Sequence, residues 1–264
     1  KEQLMNKSIL LKIENQVAYI TFNRPDVFNS FDREMALLLQ SKLDDCEKNS
    51  EVRSIVLNGN GKAFCAGQDL KEVTTPELNP GFKKILEEHY NPIITRIRNI
   101  NKPIIAAVNG VAAGAGANIA LACDVVVASE NVSFIQAFSK IGLVPDSGGT
   151  YFLPRLIGFQ KASALMMFGN KIPAKEAEAL GMIYKVFPVD TFNKEVNKIA
   201  THLANMPTKA LGFIKRMLNE SMTNTLEQQL DLEEKLQIEA AQSEDYIEGV
   251  NAFIQKRNPI FKGK

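Results

Sequence analysis

Residues 103–129 read PIIAAVNGVAAGAGANIALACDVVVAS, and this stretch limits the fold more than any other. PIIAAV and DVVVAS lack the every-second-residue alternation of a half-buried strand, so each reads as a strand covered on both faces. Strands of that kind belong to α/β layers with a mostly parallel sheet. Between them, AAGAGANIALAC reads as a helix whose first turns have almost no side chains. The earlier third alternates in the same way: ILLKI, VAYITF and VRSIVLNG are strand-like, while MALLLQSKLDDCEK and FKKILEEHYNPIITRIRNI are helical. From about residue 150 the strand signals thin to a short MIYKVF, and 192–255 is almost wholly helical. A boundary is therefore expected near residue 190, between a core of residues 1–190 and a helical region of residues 191–264.

Composition removes several classes of function. A chain of 264 residues that is 45% hydrophobic can fill one large domain or a core with an appendage. Lys and Arg number 31 against 30 Asp and Glu, a formal net charge of +1, so no global field draws nucleic acid or an anionic membrane. Neither is expected as a partner. No apolar run reaches membrane-spanning length, and KEQLMNKS leads into a strand-like segment rather than a signal core. Cys46, Cys65 and Cys123 lack metal-ligand spacing, and their odd number fits a reducing, cytoplasmic location. With His89 and His202 alone, and no HExxH, a built-in metal is not expected. Carboxylates, backbone amides or a bound substrate must carry the chemistry.

Two loops are rich in small residues. GNGKAFCAGQDLKE, residues 59–72, follows one predicted strand, and NGVAAGAGANIALACD, residues 109–124, follows another. Small residues let a ligand approach the backbone and let amides point outward. Each loop alone reads equally as a tight turn with close packing. Two of them, each after a strand, suggest converging amides, an oxyanion hole. A dinucleotide fingerprint is not completed, since Ile119 fills the third small position and no ribose acid follows.

IGLVPDSGGT, residues 141–150, poses the question of Asp146. An acid between Pro145 and a small-residue run ahead of YFLPRLIG suits a helix N-cap, and it also suits a catalytic group. In TLEQQLDLEEKLQIEA, Leu226, Leu230, Leu232 and Leu236 fall within an arc of about 160°, with Ile238 outside it. Such a helix is either wedged between two others or packed on a neighbouring subunit. TTPELNPG, residues 74–81, reads as a lid or as an exposed connection.

NRPDVFNSF, GKAFCAGQDL, KPIIAAVNGVAAGAGANIALACDVVVAS, IGLVPDSGGTYFLPRLIG and EGVNAFIQKR together resemble the crotonase superfamily of enoyl-CoA hydratases and isomerases, from about Ile9 onward. The resemblance implies an α/β, crotonase-like spiral of ββα turns with a helical C-terminal assembly region, in homotrimers often paired into hexamers. It implies an acyl-CoA thioester as substrate, with coenzyme A part of that substrate and no separate cofactor. The matching oxyanion amides are Gln68 and Ala115. CoA contacts are implied along Ala66, Asp69, Leu70 and Lys71, with Phe253 and Lys256 at the nucleotide end, drawn in some cases from a neighbouring subunit.

At the positions of the two hydratase glutamates stand Asn118 and Phe138. Neither is a general base. Asp146 matches the working aspartate of certain isomerases, and a pocket of Phe138, Leu143 and Val144 around it would raise its pKa. HYNPIITRI, FSKIGLVPDSGGTYFLPR, TNTLEQQLDLE and DYIEGVNAFIQKR resemble the subgroup that isomerises 1,2-epoxyphenylacetyl-CoA to oxepin-CoA. A Δ3,Δ2-enoyl-CoA isomerase, an enoyl-CoA hydratase and a noncatalytic acyl-CoA-binding protein are the alternatives. His89 and Tyr90 either line the acyl pocket or form a partly exposed helical pair. Cys65 beside the oxyanion loop reads as a small buried side chain.

Overall fold

The structure, a computed structural model, describes residues 7–264; the first six residues, part of the N-terminal segment read above, lie outside the described range. Among the described residues ten strands form two sheets. They are β1 (Ile9–Glu14), β2 (Val17–Phe22), β3 (Ser54–Gly59), β4 (Ala63–Cys65), β5 (Ile104–Val108), β6 (Val111–Ala113), β7 (Val125–Ser129), β8 (Ser133–Ile135), β9 (Lys171–Pro173) and β10 (Lys185–Phe187). The larger sheet has the order β1-β2-β3-β5-β7-β10 and the smaller β4-β6-β8-β9. Only the β1–β2 and β8–β9 pairs are antiparallel. The chain thus winds as a spiral, each turn placing a long strand (β3, β5, β7) in one sheet and a short one (β4, β6, β8) in the other.

Helices close the turns: α1 (Arg33–Lys48), α2 (Leu70–Thr74), α3 (Phe82–Lys84), α4 (Asn91–Asn99), α5 (Ala115–Leu121), α6 (Gly149–Ile157), α7 (Phe159–Phe168) and α8 (Ala174–Ala179). Four more follow, α9 (Phe192–Ala204), α10 (Thr208–Glu220), α11 (Leu226–Ala241) and α12 (Glu244–Ile254). All five residues of β5 are buried, because one face meets the main core and the other meets α9. Val17, Val56, Ile105, Ala107 and Val127 form that second face with Phe192, Val196, Ala200 and Ala204. Unbroken apolar strands need cover of this kind on both sides.

Two local expectations are corrected. Ala112 and Ala113, read as helical, belong to β6, and α5 starts only at Ala115. The helix expected across FKKILEEHYNPIITRIRNI is interrupted by a π-helical turn over Ile85–Tyr90. Pro92 has no N–H to give the Glu88 carbonyl. Gln40 Nε2 from α1 supplies that donor at 2.7 Å, and the turn widens between them.

NRPDVFNSF knits the spiral's first turn to the loop after β3. Asn29, fully buried with a left-handed φ of 55°, donates through Nδ2 to the carbonyls of Asn60 and Ala63. Arg24 Nη2 meets Asp32 at 3.0 Å and Asp69 at 2.8 Å. Further along, Lys215 Nζ of α10 reaches Asp124 Oδ2 at 2.8 Å, and Arg53 Nε donates to Thr208 Oγ1 at 2.8 Å. These bonds fasten α10 to the spiral. In α11, Leu232 and Leu236 are buried while Leu226, Leu230 and Ile238 are exposed, so one chain covers only one side of that helix.

Candidate active site

Parallel strands end on the same side, and ligands of open α/β sheets collect beyond their carboxyl ends. In the smaller sheet, Cys65 of β4 pairs with Ala112 of β6, and Ala112 with Phe134 of β8. Three residues past each of these stand Gln68, Ala115 and Ala137, and all three line one cavity of about 710 Å³.

The backbone leaves two amides there. Phe31 pairs with Gln68 in a short parallel bridge, with the Phe31 amide donating to the Gly67 carbonyl and the Asp69 amide to the Phe31 carbonyl. Amides of successive extended residues point to opposite sides, so the Gln68 N–H is turned away from Phe31. Ala115 opens α5, and the first amides of a helix have no partner within it. The loops fit together because residue 67 is glycine. Its φ is +97°, and a Cβ there would lie 3.1 Å from the Ala113 carbonyl oxygen and 3.5 Å from the Ala115 nitrogen.

Asp146 is the only carboxylate among the described residues that line the cavity. Burial pushes its pKa up to about 6, and the Ser147 hydroxyl, donating to Oδ1 at 2.9 Å, pulls it partly back. It does not cap a helix: α6 begins at Gly149, and its cap residue is Gly148, with φ of 72° and no side-chain bond. The Asp146 carbonyl accepts from the Gly149 amide at 2.9 Å and from Asn118 Nδ2 at 2.8 Å. Asn118 is fully buried, and its Oδ1 takes Gln136 Nε2 at 2.8 Å. Both ends of Asn118 are thus bonded, and a role as a bracket for the Asp146 loop was not visible in the sequence. Phe138 lies on the wall against the Gly114 turn, where its Cζ would touch a Cβ at 3.7 Å.

The remaining sequence candidates divide. Ala66 and Leu70 line the cavity. Asp69 does not, since its carboxylate is engaged by Arg24 and by the Lys71 amide at the start of α2. The Lys71 side chain is exposed. Phe253, 86% exposed on α12, and Lys256, just beyond that helix, are not on this wall within one chain. Leu143 lines the cavity, whereas Val144 is 80% exposed and points elsewhere, a correction to the expected pocket.

The partly exposed pair expected at His89 and Tyr90 is also corrected: they are 0% and 1% exposed. Tyr90 is on the cavity wall, and its hydroxyl donates to Gln68 Oε1 at 2.9 Å. The signal that could have found it is Pro92, which forces the π turn that carries it inward. Val73 and Phe82, flanking the 74–81 connection, line the cavity too. Cys46, Cys65 and Cys123 are free and buried. Burial pushes the Cys65 thiol up to about 12, so it is no nucleophile. Among the described residues no cluster of His, Cys, Asp and Glu fits a metal ion, and no helix is long and apolar enough to cross a membrane.

A ββα spiral with two free amides and one acid at its strand ends defines an acyl-thioester enzyme of the crotonase type. Residues 12–264 match the family model of enoyl-CoA hydratase/isomerase, and the chain belongs to that family. It is 44% identical over 262 residues to the 1,2-epoxyphenylacetyl-CoA isomerase of Escherichia coli K12, covering 98% of this chain and 100% of the relative. A probable enoyl-CoA hydratase of Rhodobacter capsulatus is 42% identical over 97% of this chain and 98% of its own length. The crystal structure of a putative enoyl-CoA hydratase/isomerase from Mycobacterium abscessus superposes with a TM-score of 0.91 at 33% identity, covering 97% of this chain and 100% of that one. Isomerase or hydratase chemistry on acyl-CoA thioesters is the activity class of this chain.

Proposed function

We propose that the chain is an isomerase that shifts double bonds through a thioester enolate, converting 1,2-epoxyphenylacetyl-CoA to oxepin-CoA. The observation that carries the isomerase reading is the lone carboxylate. Asp146 is the single acid on the wall among the described residues, and one proton-transfer group suffices to move a proton within one molecule. Hydration would need a carboxyl pair to hold and activate water, and the positions for that pair carry Asn118 and Phe138.

In this reading the thioester oxygen lies between the Gln68 and Ala115 amides. Asp146 takes a proton from the carbon next to the thioester, and the electron pair moves onto the oxygen between the amides. The carboxylic acid so formed returns the proton farther along the ring, in its oxepin form, leaving the ring double bonds conjugated with the thioester. Atoms and charge balance without a cofactor or metal. A pKa near 6 suits a group that both takes and gives a proton near neutrality. The choice of acyl group rests on likeness to the E. coli isomerase and on the apolar wall of Val27, Val73, Phe82 and Ile85, which suits a ring.

Assembly as a homotrimer or hexamer belongs to the same reading, with Phe253 and Lys256 reaching CoA across a subunit boundary. So does a cytoplasmic location, supported by three free cysteines. The test is a turnover screen over acyl-CoA thioesters, with product mass and double-bond position determined. Conversion of the ring epoxide without mass change is expected. Turnover of straight 3-enoyl-CoA alone would reassign the substrate to that class, and addition of water as the main reaction would overturn the isomerase reading.

A further inference from the structure

Gln68 does more than lend its backbone. Its side chain is held at both ends: Nε2 donates to Glu72 Oε2 at 2.5 Å, and Oε1 accepts from the Tyr90 hydroxyl at 2.9 Å. The orientation of that amide follows from chemistry, because a carboxylate only accepts and must face Nε2, leaving Oε1 for the phenol. Glu72 is buried, and its other oxygen takes the Arg33 amide at the start of α1 at 2.8 Å. Tyr90 is buried and packs edge-on against Phe31, with ring centroids 6.2 Å apart. Phe31 is the residue whose backbone bridges Gln68. The π turn that delivers Tyr90 is itself held by Gln40 on the Glu88 carbonyl. Every link in this chain ends on the residue that presents the first oxyanion amide.

We propose that Tyr90 is a positioning residue: through its bond to the Gln68 side chain, braced by Glu72, it fixes the Gln68 backbone amide in the oxyanion hole. This rests on the enolate reading above. The peptide plane that carries the Gln68 N–H also carries the Gly67 carbonyl, which the Phe31 amide holds at 2.7 Å on the opposite edge, and a left-handed glycine precedes it, so tilt about that one hydrogen bond is the freedom left to the plane. A side chain clamped at both ends removes that freedom before substrate arrives. Preorganisation of this sort makes an oxyanion donor effective, and misplacement by about 1 Å can cost on the order of 100-fold.

The experiment is a double-mutant cycle on the full chain with Tyr90→Phe, Gln68→Ala and both together. Tyr90→Phe keeps the ring against Phe31 and removes only the hydroxyl. Two rates are read for each protein: isomerisation, and exchange of the α-protons of phenylacetyl-CoA in D₂O, which reports enolate formation whatever the physiological acyl group. A fall of about tenfold in kcat and in exchange for each single variant is expected, from partial misplacement, with KM and the affinity for phenylacetyl-CoA within about twofold. The double variant should fall no further than the worse single one, since both remove the same clamp. Thermal unfolding identifies each folded protein. Losses that multiply in the double variant, or a Tyr90→Phe protein with wild-type exchange, overturn the proposal while leaving the enolate reading intact. A wild-type protein that neither exchanges nor isomerises any thioester overturns both.

Discussion

The side chain of Asn118 and the backbone of Asp146 are joined by one hydrogen bond, Nδ2 to the carbonyl oxygen at 2.8 Å, which ties the loop carrying the acid to the helix that begins at Ala115. The acid and Ala115, which line the same cavity, are therefore held by the same short helix. Gly149 makes room for the contact, since a Cβ there would lie 2.3 Å from Asn118 Nδ2.

Replacing that bracket should loosen the acid without removing it. Asn118→Ala strips a donor from the Asp146 carbonyl and leaves buried Gln136 Nε2 without its acceptor. Stability should fall by about 1–3 kcal/mol and isomerisation by about tenfold or more, with the Asp146 titration still visible in the rate profile. Denaturant unfolding and steady-state kinetics read the two quantities separately.

Asp146→Asn keeps the shape and removes the group proposed as the base. Isomerisation and α-proton exchange should both fall at least about 100-fold, with thioester binding little changed. A folded variant that still exchanges at near wild-type rates would mean the base lies elsewhere.

The raised pKa of Asp146 carries two pH signatures of opposite sense. Catalysis needs the ionised form, so kcat/KM should rise with pH through about 6 and then level off. Folding favours the neutral form: the folded pKa of about 6 lies above the ordinary value of 3.8, so the contribution to stability is full below about 4 and is lost as pH rises through about 6. Asp146→Asn should therefore be more stable than wild type at pH 8, by about 1 kcal/mol or more, and equal to it near pH 3.5. Melting curves across that range check the sign.

Crotonyl-CoA should be hydrated poorly, because the wall offers one carboxyl and Phe138 occupies space that water would need. Loss of the enoyl absorbance, with 3-hydroxyacyl-CoA confirmed as product, at rates comparable to isomerisation would contradict this site assignment.

Leu226 and Leu230 of α11 and Tyr246, Ile247, Phe253 and Ile254 of α12 are exposed, and large apolar side chains left in water on adjoining helices are the kind of surface that assembly covers. A homotrimer or a dimer of trimers is expected by light scattering. A dilute, fully active monomer would contradict it.

Much of this architecture is legible in the chain because β5 and β7 are unbroken apolar runs that demand cover on both faces, and the two small-residue loops follow strands whose ends must meet. Gln68 and Ala115, at the ends of those loops, line one cavity. Less legible is what depends on distant partners. Nothing near Asn118 announces that its amide will serve Asp146, 28 positions away. Nothing near Tyr90 announces Gln40, whose side chain allows the π turn. Asp69 looked available because its engagement by Arg24 spans 45 positions. Local pattern carries strands and turns, while side-chain bonds across the fold are decided only once the spiral closes.

Gln68 and Ala115 occupy the same step beyond two paired strands, β4 and β6. Neighbouring strands lie about 4.8 Å apart whatever side chains they carry, so the hydrogen-bond spacing of the sheet sets the separation of these two residues, which in the proposed enolate reading is the gauge of the oxyanion hole. Side-chain substitution around the cavity can change which acyl groups enter and how firmly each amide is aimed, while the spacing of the two strands stays as it is. A change in the length of one loop relative to the other would shift the two amides against each other. Equal arc length after two adjacent strands is accordingly the quantity that a drifting descendant of this sequence must keep, even after every residue lining the acyl end has been exchanged.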